Sequence, residues 1–351
     1  MSQRTMRAAR YYEAGRPVRM EEIPYPEAGP DQVVVRVAAC GICGSDLHFF
    51  HGMPTLMPLP MTLGHEPAGV IEALGQGVDG WAPGDRVAVH IGRGCGQCRT
   101  CRSGHETCCP SISVPGLHTD GAFAEAVCVP RDCLVRIPDG VSFAVAAVAT
   151  DCVASPYHAL TCRGGLVSGE RVAVFGVGGL GNQAVCFAKL LGAAQVVAVD
   201  VSEVALARAS RAGASDLLLV EPGEDPATRI KELTDGGVDL VLECVGTPAT
   251  VASGVNALHP GGRLVVVGVG LEPPRIDLPQ AVFSFVELSL LGSFGSHAED
   301  LEHVLRLQAD GEIDIEVSIS HRLSLDRVAE GLEMLDTKRG DPERIVIELD
   351  V

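Results

Sequence analysis

RVAVFGVGGLG, Arg171 to Gly181, is an apolar strand that runs straight into a glycine turn and then into a helix. The turn reads Gly176-x-Gly178-x-x-Gly181, and each glycine has its own reason. Gly176 permits the tight turn, Gly178 lets main chain approach a pyrophosphate, and Gly181 lets the helix pack closely on the strand. The helix start over Gly179 and Leu180 then offers free amides and a positive dipole end to phosphate oxygens. Nineteen residues after Gly181, Asp200 follows the apolar strand Gln195 to Val199. A carboxylate at that place can hydrogen-bond an adenosine ribose and would oppose a 2'-phosphate, which predicts NAD rather than NADP. A glycine-rich turn alone would be a weak signal, but here strand, helix and acid agree.

The same alternation continues outward. Val238 to Leu242 and Leu264 to Val267 read as further short apolar strands, separated by amphipathic helices. The pattern predicts a parallel sheet with helices on both faces, a doubly wound Rossmann domain. Residues 1 to about 150 have another texture, rich in Gly and Pro with Val-rich runs such as Val33 to Val37 and Arg86 to Val89. That texture predicts an irregular β-rich domain. After Ser293 the pattern is mixed, with helices expected near Ala298 to Gln308 and Leu325 to Leu335 and a last strand from Arg344 to Leu349. The expected division is therefore residues 1–151 with 294–351, and residues 152–293, in an α/β protein.

The chain has 351 residues, 46% of them hydrophobic and 21% charged, enough apolar content for two packed domains and unlike a disordered chain. Its net charge is 27 minus 45, or -18. Such a chain has no overall basic field for nucleic acid or an anionic membrane surface. The arginines of Met1 to Arg10 are followed by no apolar stretch, and no run suits a bilayer span, so a cytoplasmic protein is expected. Thirteen cysteines, an odd number without a secretion signal, point to metal or a reduced interior rather than a disulfide framework.

Five of those cysteines lie between Cys95 and Cys109. Cys95-x2-Cys98-x2-Cys101-x7-Cys109 can close a tetrahedral structural zinc site, with Cys108 as a competitor for the fourth place. A second set is dispersed: Cys43 in GICGSDLH (41–48), His65 and Glu66 in GHEPAGV (64–70), and Asp151 or Cys152. Each of these alone is more often a core residue than a ligand.

Taken together with GVGGLG and Asp200, in this order and spacing, these motifs resemble the zinc-containing medium-chain alcohol dehydrogenases over nearly the whole chain. The resemblance implies a GroES-like catalytic domain beside the coenzyme domain, two zinc ions, and hydride transfer between an alcohol and NAD, giving an aldehyde or ketone. It implies a catalytic zinc on Cys43, His65 and a third ligand six residues before an aromatic. Counting back from Tyr157 reaches Asp151, with Cys152 one residue off. An N-cap before Val153 is the plain alternative for Asp151.

The resemblance also assigns Ser45 and His48 to a proton relay and leaves Glu66 between a supporting role and transient ligation. It places Ser155, Val267, Gly268, Val269, Ser293 and Phe294 near the nicotinamide and Arg344 at the pyrophosphate. Ala205 stands where the family often carries a lysine for the ribose. A homodimer or homotetramer acting on a small-molecule alcohol or carbonyl is implied. The apolar run Phe49, Phe50, Met53, Leu56, Met57 and Leu59 either lines a substrate pocket or packs between domains. The nearest alternative is a polyol or sugar dehydrogenase of the same family. From another class, the alternative is a non-catalytic NAD-binding protein.

Overall fold

The structure, a computed structural model, describes residues 4–92, 94–221 and 223–350. The chain forms two compact units, Met1–Ala154 with Ser296–Val351, and Ser155–Gly295.

The first unit is built around the strand Gln32–Ile42, whose side chains are buried along most of its length. Such a Val-rich strand is stable only with neighbours on both edges and cover on both faces. It pairs antiparallel with Glu66–Leu74, Ala126–Pro130 and Arg344–Glu348. The last of these lies between it and Ile319–Ser324, so the C-terminal segment completes the first unit. Val33, Val35, Val37, Ile71, Phe123, Ile345 and Ile347 form the buried core.

Two short helical segments present the chemistry. Gly44–Phe50 starts at Cys43, whose amide donates to Asp46 Oδ2 at 3.0 Å. Phe143–Val148 starts at Ser142 and passes into a π-helical turn, Ala149–Val153. The helix expected near Ala298 spans Ala298–Ala309. The one expected from Leu325 begins as a 3-10 turn, Leu325–Arg327, and becomes α-helical over Val328–Thr337.

The second unit is a six-stranded parallel sheet in the order Asp216–Leu219, Gln195–Asp200, Arg171–Phe175, Val238–Glu243, Leu258–Val266, Ser289–Gly292. From Arg171–Phe175 the chain works outward on one side, then returns to Val238–Glu243 and works outward on the other. The order reverses between these two strands, and open α/β sheets bind ligands beyond the C-terminal ends of strands at such a point.

Candidate active site and metal centres

In the first unit Cys43, His65, Glu66 and Asp151 bring one donor atom each to within 4.8 Å of one another, the first three buried and the Asp151 side chain 13% exposed. Cys43 Sγ and His65 Nε2 lie 3.7 and 3.6 Å from Asp151 Oδ2. Tetrahedral bonds of zinc to N, O and S donors need those donors about 3.3–3.8 Å apart, so the set fits the metal. Asp151 caps no helix, because its turn continues one that began at Phe143. Cys152 is fully buried and is not among the converging donors. Burial pushes its thiol well above the ordinary range, which disfavours the thiolate a metal requires.

Two further carboxylates complete the corner. Asp46 reaches His65, with Oδ1 3.4 Å from Nδ1, while its other oxygen accepts from the Cys43 amide. Burial opposes a proton on His65, yet Asp46 and Asp151 hold its affinity for one well above the usual value. Glu66, also fully buried, pairs through Oε2 with the Arg344 guanidinium, and its Oε1 is buried with no partner. Burial raises the Glu66 pKa while Arg344 opposes the rise. These two charges flank Gly41, which is opposite Glu66 on one neighbouring strand and Val346 on the other.

Ser45 and His48 both sit on Gly44–Phe50, one turn apart and so on one side of it. Ser45 Oγ is 3.6 Å from Cys43 Sγ. Burial, then His51, lowers the proton affinity of His48, with Asp46 opposing.

Cys95, Cys98, Cys101 and Cys109 converge as the second donor set, and no cysteine is in a disulfide. Cys98 Sγ is 3.5 Å from Cys101 Sγ and 3.8 Å from Cys109 Sγ, close to the about 3.8 Å edge of a tetrahedron with zinc–sulfur bonds near 2.3 Å. Main-chain amides of Cys98, Cys101 and Ser111 donate to Cys95, Cys98 and Cys109 sulfurs at 3.3–3.4 Å. The Cys101 amide draws the Cys98 thiol down to about 6. Cys108 is exposed and outside the set.

In the second unit Gly176 has φ +80, and a Cβ on Gly181 would lie 1.9 Å from Gly176 O, so strand and helix touch main chain to main chain. A Cβ on Gly178 would meet nothing within 4 Å, which leaves open space beside the first turn of Gly179–Leu190. Leu180 lies in that turn. Asp200 Oδ2 accepts from the Val177 amide at 2.8 Å, which holds the acid against the glycine turn. Val267, Gly268 and Val269 follow the strand Leu258–Val266, and Ser293 and Phe294 follow Ser289–Gly292. All these residues therefore stand at the C-terminal edge of the sheet. Ser155 is buried at the start of the unit.

Residues 29–139 match the family model of the alcohol dehydrogenase GroES-like domain, and residues 179–310 that of the zinc-binding dehydrogenase. An alcohol dehydrogenase of Geobacillus stearothermophilus is 36% identical over 90% of this chain and 92% of its own. A sorbitol dehydrogenase of Bacillus subtilis is 32% identical over 91% and 90%. The solved structure of an alcohol dehydrogenase from Thermus sp. ATN1 superimposes with a TM-score of 0.90 at 34% identity, covering 98% of this chain and all of that one. The chain belongs to the zinc-containing medium-chain alcohol dehydrogenases. It has their α/β fold, a GroES-like unit and a Rossmann-like unit, and their cofactors, zinc and NAD.

Arg344 is buried beside Glu66, on the strand that enters the sheet next to Gln32–Ile42. Of the apolar run after His48, Phe49 is core and Phe50, Met53 and Met57 pack against it, which leaves Leu56 and Leu59 exposed. Asp46 was passed over, although it stands inside GICGSDLH. Its signal is an acid three residues after a candidate cysteine ligand, where the first turn of a helix returns it to the metal corner.

Proposed function

We propose that this enzyme interconverts a small primary or secondary alcohol and its aldehyde or ketone at a corner formed by Cys43, His65 and Asp151, with NAD as hydride carrier. The observation that carries the reading is the convergence of those three donors with Glu66, all within 4.8 Å of one another. Zinc at this place supplies a Lewis acid that lowers the pKa of an alcohol oxygen, and NAD supplies the hydride acceptor.

The chain's own residues do the rest. Asp46 on Nδ1 turns His65 so that Nε2 faces Cys43 and Asp151. Glu66, balanced by Arg344, sets the charge behind the ligands. Ser45 takes the substrate proton and His48, kept neutral by burial, receives it. Gly176, Gly178, Gly179, Leu180 and Gly181 cradle the pyrophosphate and Asp200 takes the adenosine ribose. Ser155, Val267, Gly268, Val269, Ser293 and Phe294 border the nicotinamide. Cys95, Cys98, Cys101 and Cys109 hold a zinc with no open position, which acts in folding only.

Leu56 and Leu59, exposed just beyond the relay helix, favour an alcohol with an apolar chain. The second reading is a polyol substrate, favoured by the likeness to a sorbitol dehydrogenase. Self-association as a homodimer or homotetramer is the proposed assembly, through the free edge of Ser289–Gly292, near which Phe285 and Leu290 are exposed. No helix among the described residues is long and apolar enough to cross a membrane, and the proposed location is the cytoplasm.

Initial rates with aliphatic alcohols, aromatic alcohols and polyols, each with NAD or NADP and with or without a zinc chelator, test the proposal. Chelator-sensitive, NAD-linked oxidation of an apolar secondary or primary alcohol is expected. Preference for polyols selects the second reading, and NAD binding without turnover on any alcohol refutes both.

A further inference from the structure

Glu243 has 0% exposure at the C-terminal end of Val238–Glu243, beside the reversal of strand order. A carboxylate so buried needs donors, and here they converge on one oxygen, while Oε2 is buried with no hydrogen-bond partner. Its Oε1 accepts from the amides of Val245 at 2.9 Å and Gly246 at 2.8 Å, and from Thr250 Oγ1 at 2.7 Å. Its main-chain carbonyl accepts from the amides of Val267 and Gly268 at 2.8 and 2.9 Å. One residue thus fastens both the turn after its own strand and the exit of the neighbouring strand.

Those two segments meet with no side chain between them. A Cβ on Gly268 would lie 2.2 Å from Gly246 N, and one on Gly270 would lie 1.9 Å from Gly246 O. On the other flank, a Cβ on Gly176 would lie 2.5 Å from Val245 Cγ2. The turn 244–247 is therefore wedged between the glycine turn and residues 267–270. Displacement of the wedge is passed to both where their main chains touch, although the outer side of the turn is exposed at Val245.

We infer that Glu243 is a positioning residue for the coenzyme: through the turn 244–247 it holds the glycine turn and the segment Val267–Val269 in mutual register. The inference rests on reading this edge as the NAD site and assigns no contact between Glu243 and NAD. What it requires of residue 243 is the acceptor oxygen, which glutamine also supplies.

The test compares wild type with Glu243→Gln, Glu243→Ala and Thr250→Val by calorimetric titration of NADH. Amide hydrogen exchange at Val245, Gly246 and Gly268 is measured in the coenzyme-free proteins. Loss of a buried acceptor predicts an NADH Kd at least about tenfold weaker in Glu243→Ala, within about threefold of wild type in Glu243→Gln, and intermediate in Thr250→Val. The alcohol KM at saturating NAD stays unchanged, and the three amides lose protection in Glu243→Ala only.

An unchanged NADH Kd in Glu243→Ala, or a Glu243→Gln as weak as it, overturns the inference. Should Glu243→Ala not fold, an unchanged Kd in Thr250→Val overturns it instead. Wild type that fails to bind NADH, with the amides still loosened by Glu243→Ala, refutes the coenzyme reading itself. Unchanged amides with intact NADH binding refute only the role of Glu243.

Discussion

Gly41 lets two buried charges meet across a strand. A Cβ there would lie 1.9 Å from Glu66 Oε2 and 3.1 Å from Arg344 Nη2. Gly41→Ala should therefore part the pair and lower stability by about 3 kcal/mol, the usual cost of leaving a buried charge uncompensated. Thermal denaturation checks this, and an unchanged Tm would contradict it. His48 carries a second expectation. Burial depresses its pKa below the ordinary 6.5, and only the neutral ring accepts a proton. The kcat/KM for alcohol oxidation should then be level at neutral pH and fall as pH drops through that depressed value. His48→Gln should remove this acid limb and cost about a hundredfold in rate, which a pH–rate profile measures. Cys43, His65 and Asp151 could be named from spacing and resemblance. Asp46 carries only the weaker signal of its spacing from Cys43, and its partner His65 is brought to it only by the folded sheet.

The π-helical turn Ala149–Val153 explains why Asp151 and Cys152 were hard to separate on paper. Neighbouring residues of an α-helix point about 100° apart, so the face presented to the ligands depends on the winding of this one turn. Wider turns of this kind are frequent at functional sites. The observed winding sends Asp151 to Cys43 and His65 and leaves Cys152 in the core. Cys152→Ser should accordingly keep full zinc content and activity within about threefold, since it replaces a sulfur outside the converging donors. Loss of a zinc in that variant, by elemental analysis, would reverse the assignment. The four-cysteine lobe has the opposite character, because its spacing alone announced it and most of its amide-to-sulfur bonds are local, the bond from the Cys95 amide to Cys109 Sγ closing the lobe. Cys98→Ser should lose one zinc, lower Tm by several degrees and leave the other zinc in place, as expected of a metal that contributes only to folding.

Across the entire chain, the second unit was the more legible in sequence. Its strands and helices alternate locally, and parallel sheets demand nearly continuous apolar strands, so each element declares itself. The first unit depends on pairings between distant segments, such as Gln32–Ile42 with Arg344–Glu348. The last strand could be foreseen, but not its partner, nor that its arginine would be buried against Glu66. The central claim is that two zinc ions serve one chain in separate roles, with Asp151 holding one of them. Elemental zinc per chain in wild type and in Asp151→Ala tests it most directly. The account predicts two zinc ions falling to one. Two in both proteins, or one from the start, would contradict it.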